Sequence, residues 1–246
     1  MVIDAHAHLW AEGDADVIVR EARRVGISKV VVSCLLNWDW SVPSPQPRND
    51  LVFGQTKLYP ELYGYLYVDP LNEELAMQQL ERYLSDESLV GIKLWISCPA
   101  NDRAVYRLAE ATSPHNLPIL VHAWRRGTRL EKGYQTLPSQ VAELSSSFPK
   151  SFFLMAHMGG DWEMGCREIA EAENVAVDTS GSINESGMVE TAVDLLGAER
   201  VLFGTDAPSS GFLANLGKVL SAEIDEDEKR RILGLNALEK LVRLVD

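Results

Sequence analysis

Four of the five histidines in this 246-residue chain stand at the ends of short apolar runs. His6 and His8 lie at the end of the first run, and His122 and His157 end two later ones. Asp206 follows another run, in the segment LFGTDAP. Imidazole nitrogens together with a carboxylate would form a site suited to Zn²⁺, with Mn²⁺, Fe²⁺ or Co²⁺ as alternatives. The residue types therefore indicate a metal centre, provided that the fold brings them together.

The apolar runs predict β-strands. Several of them, such as VVVSCLL, are apolar at both alternating positions, which is typical of parallel strands that are covered on both faces. The eight predicted strands are Val2–His6, Lys29–Leu36, Leu62–Val68, Val90–Ile96, Leu117–His122, Phe152–His157, Val175–Thr179 and Val201–Thr205.

Segments with helical periodicity alternate with these strands. The predicted helices are Asp14–Val25, Asn72–Leu84, Asp102–Ala111, Pro138–Phe148, Asp161–Ala172 and Glu185–Leu196, with further helices closing the C-terminus. The segment SVPSPQPRND, after the second strand, is interpreted as a Pro-rich loop. Eight strands alternating with helices in a chain of this length predict an α/β protein with one (β/α)₈ TIM barrel, in which residues 1–246 form a single domain.

A barrel of this kind explains how residues far apart in sequence could share an ion. The C-terminal ends of all its strands open onto one face, where catalytic residues collect. His6 and His8 are two positions apart, so on a strand both side chains point the same way. Any one of these histidines alone would more often be an ordinary buried residue. Four of them on one rim, beside Asp206, favour a functional site.

Composition narrows the class of partner. The net charge of −13 argues against nucleic acid or an anionic membrane surface as a partner, since both attract basic proteins. We expect no signal peptide, and no apolar run in the sequence is long enough to cross a bilayer. Cys34, Cys98 and Cys166 fit no CxxC spacing and are interpreted as thiols in a reducing cytosol. We expect a cytoplasmic protein that acts on a small molecule.

Six motifs occur in an order that resembles the amidohydrolase superfamily: IDAHAHLW, GIKLW, LVHAW, LMAHMGGDW, AVDTSGS and LFGTDAP. The resemblance is strongest to its amidohydrolase 2 branch, which contains decarboxylases, lactonases and related hydrolases. It runs from the first strand to the ending ILGLNALEKL, and so covers nearly the whole chain.

The resemblance implies roles for individual residues. The metal ligands would be His6, His8, His122 and Asp206. His157 would bind a second metal or hydrogen-bond the reacting water or substrate. Lys93, in GIKLW, stands where two-metal members carry a carboxylated lysine that bridges the ions; the alternative is an ordinary lysine that pairs with a carboxylate. One ion per chain is preferred over two, because this branch usually holds one. By the same analogy we expect a homodimer.

Tryptophans follow the predicted strand ends. They suggest an aromatic collar above the metal for a planar or apolar substrate, and Arg125 is a candidate to bind a substrate carboxylate. The alternatives are that the indoles pack loops together and that Arg125 pairs with an acidic residue. The candidate substrate-binding residues are Trp10, Trp38, Trp95, Trp124 and Arg125.

Three functions are compatible with these residues. The first is hydrolysis of an amide, lactone or ester by a metal-activated water, with Asp206 accepting the proton and His157 stabilising charge on the attacked oxygen. The alternative is non-oxidative decarboxylation of an aromatic or enoic acid, with the same two residues handling the proton. A non-catalytic metal-binding barrel is the second alternative. Hydrolysis is preferred because it is the larger class.

Overall fold

Eight parallel strands form one sheet whose spatial order follows the chain from β1 to β8. The computed structural model describes residues 1–35, 46–125, 135–241 and 243–244. The strands are β1 Ile3–His8, β2 Lys29–Ser33, β3 Leu62–Tyr67, β4 Leu89–Leu94, β5 Ile119–Val121, β6 Phe153–Met155, β7 Val175–Asp178 and β8 Val201–Leu202.

Backbone hydrogen bonds join the last strand segment to the first. The amide of Ala5 donates to the carbonyl of Phe203 at 2.9 Å, and the amide of His8 donates to the carbonyl of Ala207 at 2.7 Å. The amide of Asp206 donates to the carbonyl of His6 at 2.7 Å. These bonds bring the two edges of the sheet together, so the predicted (β/α)₈ TIM barrel is confirmed.

Helices alternate with the strands, as predicted. They are α1 Asp14–Arg24, α2 Gln46–Thr56, α3 Glu73–Tyr83, α4 Arg103–Thr112, α5 Pro138–Ser147, α6 Trp162–Glu168, α7 Met188–Leu196, α8 Phe212–Leu220, α9 Glu226–Arg230 and α10 Asn236–Lys240, with a π-helical turn at Arg231–Leu235. Within the described ranges, none of these helices has the length and hydropathy that a membrane crossing requires.

The interpretation of SVPSPQPRND as a loop is wrong for its second half. Helix α2 begins at Gln46, while residues 41–45 lie outside the described residues. Asn49, in this helix, is fully buried and pairs with the backbone of Tyr67: its Oδ1 accepts from the amide at 3.0 Å and its Nδ2 donates to the carbonyl at 2.9 Å. A polar residue therefore anchors α2 to the end of β3, and hydrophobic periodicity does not detect such a contact.

Every strand except β1 ends earlier than predicted, and three of the early ends precede His122, His157 and Asp206. β5, β6 and β8 stop at Val121, Met155 and Leu202, whereas β1 continues to His8. Beyond these ends the backbone leaves the strand conformation. His157 has a φ of 58° and Asp206 a φ of 65°, both in the left-handed region that non-glycine residues rarely adopt.

Two apolar clusters fill the molecule. The larger combines strand and helix residues, and therefore lies between the sheet and the surrounding helices. The smaller cluster contains residues from every strand, together with Ala237 and Leu241 near the C-terminus. It therefore lies inside the barrel. Leu120, Ala176 and Leu202 belong to this inner cluster. Because side chains alternate along a strand, this inward direction continues from Leu120 to His122 and from Ala176 to Asp178.

The inner packing is tight enough to be tested at Gly91. A Cβ at this position would lie 2.6 Å from the carbonyl oxygen of Pro118 and 3.1 Å from the ring of Tyr65. We expect Gly91→Ala to lower the free energy of unfolding by about 1–3 kcal/mol, the usual cost of overpacking. Urea denaturation monitored by circular dichroism measures the change.

Gly54→Ala is the matched control. Gly54 is exposed in helix α2, with no atom within 4 Å of its would-be Cβ. We expect it to raise the free energy of unfolding by about 0.4–1 kcal/mol, because alanine restricts the unfolded chain. Equal effects of the two substitutions would contradict the packing described here.

Candidate metal centre

His6 lies at the centre of a buried polar cluster at the C-terminal end of the barrel. Its Nδ1 is 2.8 Å from Oδ2 of Asp178, at the end of β7. Its Nε2 is 3.1 Å from Nζ of Lys93 on β4 and 3.9 Å from Oδ1 of Asp206. Side chains from β1, β4 and β7 and from the segment after β8 thus meet around one imidazole, as expected at a barrel mouth.

Three residues are close enough to bind one ion together. One ligand atom from each of His6, His157 and Asp206 lies within 4.8 Å of the other two. The first two side chains are buried and Asp206 is half-buried. Two imidazoles and a carboxylate form a donor set that divalent transition metals accept readily.

His8 borders this group and contacts one member of it directly. Its Nε2 lies 3.0 Å from Oδ1 of Asp206, and its Nδ1 lies 2.9 Å from Oγ of Ser33. Its ring is 5.0 Å from that of His6, between centroids. His8 therefore contacts Asp206 directly, and its role as a metal ligand stays a prediction.

His122 lies against His157, outside the three-residue group. The two ring centroids are 5.1 Å apart, and Nε2 of His122 is 3.0 Å from Oε1 of Gln135. Its Nδ1 is buried and has no hydrogen-bond partner among the described residues. A buried nitrogen without a partner is costly, so this atom is available to a ligand.

Lys93 is fully buried beside His6, with no carboxylate in ion-pair contact in the described part of the chain. Burial lowers the pKa of Lys93 to about 8, although Asp178 and Asp206 oppose the decrease. A lysine of this kind has an appreciable neutral fraction near neutral pH, which is the form that reacts with CO₂. Its role as a carboxylated bridging ligand stays a prediction.

Burial sets the charge of the imidazoles. It lowers the pKa of His6 to about 3, with Lys93 adding to the decrease, and it lowers the pKa values of His122 and His157 as well. These three side chains are neutral at neutral pH. Each has one ring nitrogen with a free lone pair, which is the form that binds metals.

The two carboxylates of the site remain ionised. Burial alone would raise the pKa of Asp206, but the hydrogen bond with His8 and the nearby imidazoles lower it below its usual range. Burial would likewise raise the pKa of Asp178, and His6 outweighs that effect. The site therefore combines neutral nitrogen donors with fixed negative charge.

The backbone at His157 is held in an uncommon conformation. His157 and Met158 have φ values of 58° and 47°, which cost about 1–3 kcal/mol each and persist only where the surroundings enforce them. The amide of His157 donates to Oδ1 of Asp178 at 2.8 Å, which is one such constraint. Strain of this sort is concentrated at functional sites.

Each of three tryptophans lies against a different histidine of the site. The pairs, with ring-centroid distances, are Trp10–His8 at 5.5 Å, Trp95–His122 at 4.5 Å and Trp124–His157 at 5.8 Å. Trp38 lies outside the described residues. Trp162 instead donates from Nε1 to Oε2 of Glu185 at 2.8 Å. The aromatic surface predicted from the sequence therefore has three described members, which we call the indole cluster: Trp10, Trp95 and Trp124.

Arg125 forms an ion pair with Glu168. The side chain is about one-third exposed, so it could still exchange this partner for a substrate carboxylate. Its assignment to substrate binding stays a prediction.

Several polar residues of the site were not singled out from the sequence. Asp178 and Ser180 lie in the AVDTSGS motif, where two polar residues two positions apart near a strand end could have indicated them. Ser33 and Gln135, which contact His8 and His122, follow no comparable pattern. Their roles depend on neighbours distant in sequence.

The model of one protein family, described as amidohydrolase, matches residues 3–243. The chain belongs to the amidohydrolase family. The resemblance predicted from its motifs is thereby confirmed, and the protein is an enzyme of this family.

Solved structures similar to this amidohydrolase share its fold at low sequence identity. One is 5-carboxyvanillate decarboxylase from Sphingomonas paucimobilis, with 15% identity over 97% of this chain and 98% of that one, and a TM-score of 0.77. Another is a dihydroxybenzoic acid decarboxylase from Polaromonas sp. JS666 with bound manganese and the inhibitor 2-nitroresorcinol, with 16% identity over 97% and 96% of the chains and a TM-score of 0.72. A third is 4-oxalomesaconate hydratase from Rhodopseudomonas palustris, with 15% identity over 99% and 96% of the chains and a TM-score of 0.70.

Metal content tests the centre. His6 and Asp206 belong both to the ligand set predicted from the sequence and to the three-residue group in the structure. We expect about one divalent ion per chain in the purified enzyme, and a loss of most of it in His6→Asn and in Asp206→Asn. Elemental analysis of dialysed protein measures the ratio.

The control is His115→Asn. His115 is exposed after helix α4, in a 3-10 turn that precedes β5 at the opposite end of the barrel. This variant should keep its metal. Undiminished metal in the His6 and Asp206 variants would show that the ion, if present, binds elsewhere.

Proposed function

We propose that this amidohydrolase is a metal-dependent, non-oxidative decarboxylase of an aromatic acid. The sequence alone favours hydrolysis, with decarboxylation as the alternative. The similar solved structures include two decarboxylases of aromatic acids, which favours the alternative.

The observation that carries the proposal is the indole cluster. Its members approach the histidines from three different loops, after β1, β4 and β5. Aromatic faces placed beside metal-binding nitrogens suit a flat ring that carries an anionic group, because stacking orients the ring while its polar edge meets the ion. A purely aliphatic amide or ester would make less use of such a surface.

The residues present fit a divalent ion. We propose that His6, His8, His122 and Asp206 hold it, with His157 beside it, and that Mn²⁺ or Zn²⁺ is the ion. The partnerless Nδ1 of His122 and the neutral state of the imidazoles support this assignment. When bound, the ion supplies positive charge that offsets negative charge developing on the substrate.

Decarboxylation requires a residue of the chain that transfers a proton to the substrate. Decarboxylation breaks the bond between the ring carbon and the carboxylate carbon; the electron pair stays on the ring carbon, which gains one proton as CO₂ leaves. Asp206 is ionised and holds no proton to give. We assign the transfer to neutral His157, which accepts a proton from the bound acid or solvent and passes it to the ring carbon. Trp124, against His157, excludes water from this step.

Hydrolysis is the second candidate, because one observation favours it. The ionised Asp206 carboxylate lies beside three imidazoles, in a position to accept a proton from an attacking water. The family description, amidohydrolase, agrees with this reaction.

A substrate screen separates the two reactions. The purified enzyme, supplied with Mn²⁺ or Zn²⁺, is assayed against hydroxylated benzoates for CO₂ release and against lactones, amides and esters for acid release. We expect CO₂ release with loss of ring-carboxylate absorbance. Turnover of lactones or amides without any CO₂ would replace our proposal with hydrolysis, and activity on neither class would count against both proposed reactions.

The indole cluster can be tested at Trp10, which is 38% exposed and so contributes least to packing. We expect Trp10→Ala to reduce kcat/KM for the aromatic acid by about 2- to 10-fold, the equivalent of one stacking contact. Trp10→Phe keeps a ring and should recover most of the loss. Trp162→Ala, outside the cluster, is the control for a general effect of removing an indole.

A further inference from the structure

Asp178 and Ser180 contact the outer nitrogens of two site histidines at once. We propose that this pair keeps a proton on Nδ1 of both His6 and His157, so that both Nε2 atoms present lone pairs to the cavity. The inference concerns the resting protein. It is independent of which reaction the enzyme catalyses, and it holds before any ion is bound.

The direction of each hydrogen bond follows from groups that can only donate. Oδ1 of Asp178 receives the backbone amide of His157 at 2.8 Å and that of Ser180 at 3.1 Å. The hydroxyl of Ser180 lies within hydrogen-bond distance of the same oxygen. A backbone N–H can only donate a hydrogen bond, so this carboxylate oxygen is the acceptor in both contacts.

The hydroxyl of Ser180 has a single proton to give. Bonding to Asp178 uses it, and the remaining lone pairs of Oγ then face Nδ1 of His157 at 2.9 Å and Nδ1 of His6 at 3.1 Å. Both nitrogens must donate to satisfy this geometry. A second contact also requires a proton on Nδ1 of His6, since the acceptor Oδ2 of Asp178 lies 2.8 Å from this nitrogen.

Burial prevents water from replacing these partners. Asp178 is fully buried and Ser180 is 2% exposed. A Cβ at Gly181 would lie 3.1 Å from Nδ1 of His157, so the backbone at Gly181 packs directly against this edge of the ring. Among the residues that the structure describes, Ser180 is therefore the one hydrogen-bond partner of Nδ1 of His157, whereas Nδ1 of His6 has two.

His8 differs in a way that provides an internal comparison. Its Nε2 faces Oδ1 of Asp206 at 3.0 Å and therefore carries the proton in this arrangement. Its Nδ1 faces the hydroxyl of Ser33, which contacts no carboxylate among the described residues and can donate or accept. His8 thus holds the opposite tautomer and can change it, while Asp178 and Ser180 oppose such a change in the other two rings.

The test is nitrogen NMR of the ¹⁵N-labelled, metal-free protein. Long-range proton–nitrogen correlations distinguish a protonated ring nitrogen from a bare one, and single histidine variants assign each ring. In the wild type we expect a protonated Nδ1 and a bare Nε2 for His6 and His157, with the reverse for His8. Finding His157 protonated on Nε2 in the wild type overturns the proposal without any substitution at Ser180.

Substitutions then separate the two partners. Ser180→Ala should release His157 to a mixture of tautomers and leave His6 unchanged, because His6 retains Asp178. Ser33→Ala, the matched control, should alter His8 alone. If Ser180→Ala left the His157 signals unchanged, the hydroxyl would not be the group that sets its tautomer.

The same variants connect the tautomers to metal binding. Mn²⁺ titrated into metal-free Ser180→Ala should bind more weakly than to the wild type, because His157 beside the ion no longer holds its Nε2 lone pair toward the cavity. Removing the partner of a metal ligand usually weakens binding about 10- to 100-fold, and that is the upper limit expected here. Unchanged affinity together with a changed His157 tautomer would contradict a positioning role toward the ion. Neither the NMR result nor the metal affinity depends on the substrate. Failure of the decarboxylase proposal can therefore be distinguished from failure of the tautomer proposal.

Discussion

The site is arranged around the hydrogen bonds that the buried Asp178 carboxylate accepts inside the barrel. This carboxylate receives the His6 imidazole from β1, the His157 amide from the turn after β6 and both the amide and the hydroxyl of Ser180. A buried charge is tolerated only when hydrogen bonds replace the water it has lost. Three segments distant in sequence must therefore meet in one geometry to stabilise it.

A second buried carboxylate acts in a similar way where the barrel closes. Asp4 accepts from the amides of His6 and Thr205, each at 3.0 Å, and from the Thr205 hydroxyl. Burial raises the pKa of Asp4 to about 7, which these hydrogen bonds oppose. The contacts join β1 to the segment that carries Asp206. Hydrogen bonds beneath the site thus help to fix the distance between its first and last residues.

The site has two parts with different roles: the buried polar layer of imidazoles and carboxylates, and the aromatic surface that lies above it. In the barrel mouth three of the imidazoles are neutral and the two carboxylates of the site are ionised. The indole cluster, which belongs to the loops, packs against the histidines. The polar layer is common ground for hydrolysis and decarboxylation, since either reaction needs an ion and a group that moves a proton. The aromatic surface is what distinguishes the candidate substrates, and loops of this face commonly differ between enzymes that share a barrel.

The sequence by itself determined the eight-stranded barrel, the family and the rim on which the histidines lie, because apolar runs and helical periodicity are local patterns. It could not locate the early ends of β5, β6 and β8, since the left-handed backbone at His157 and Asp206 depends on tertiary hydrogen bonds. It also overlooked helix α2, which the buried Asn49 anchors to β3. Only the tertiary structure decided that Asp178 and Ser180 lie behind His6 and His157. The contacts with His6 join residues about 170 positions apart, those with His157 join separate segments 21 and 23 positions apart, and no local pattern encodes them.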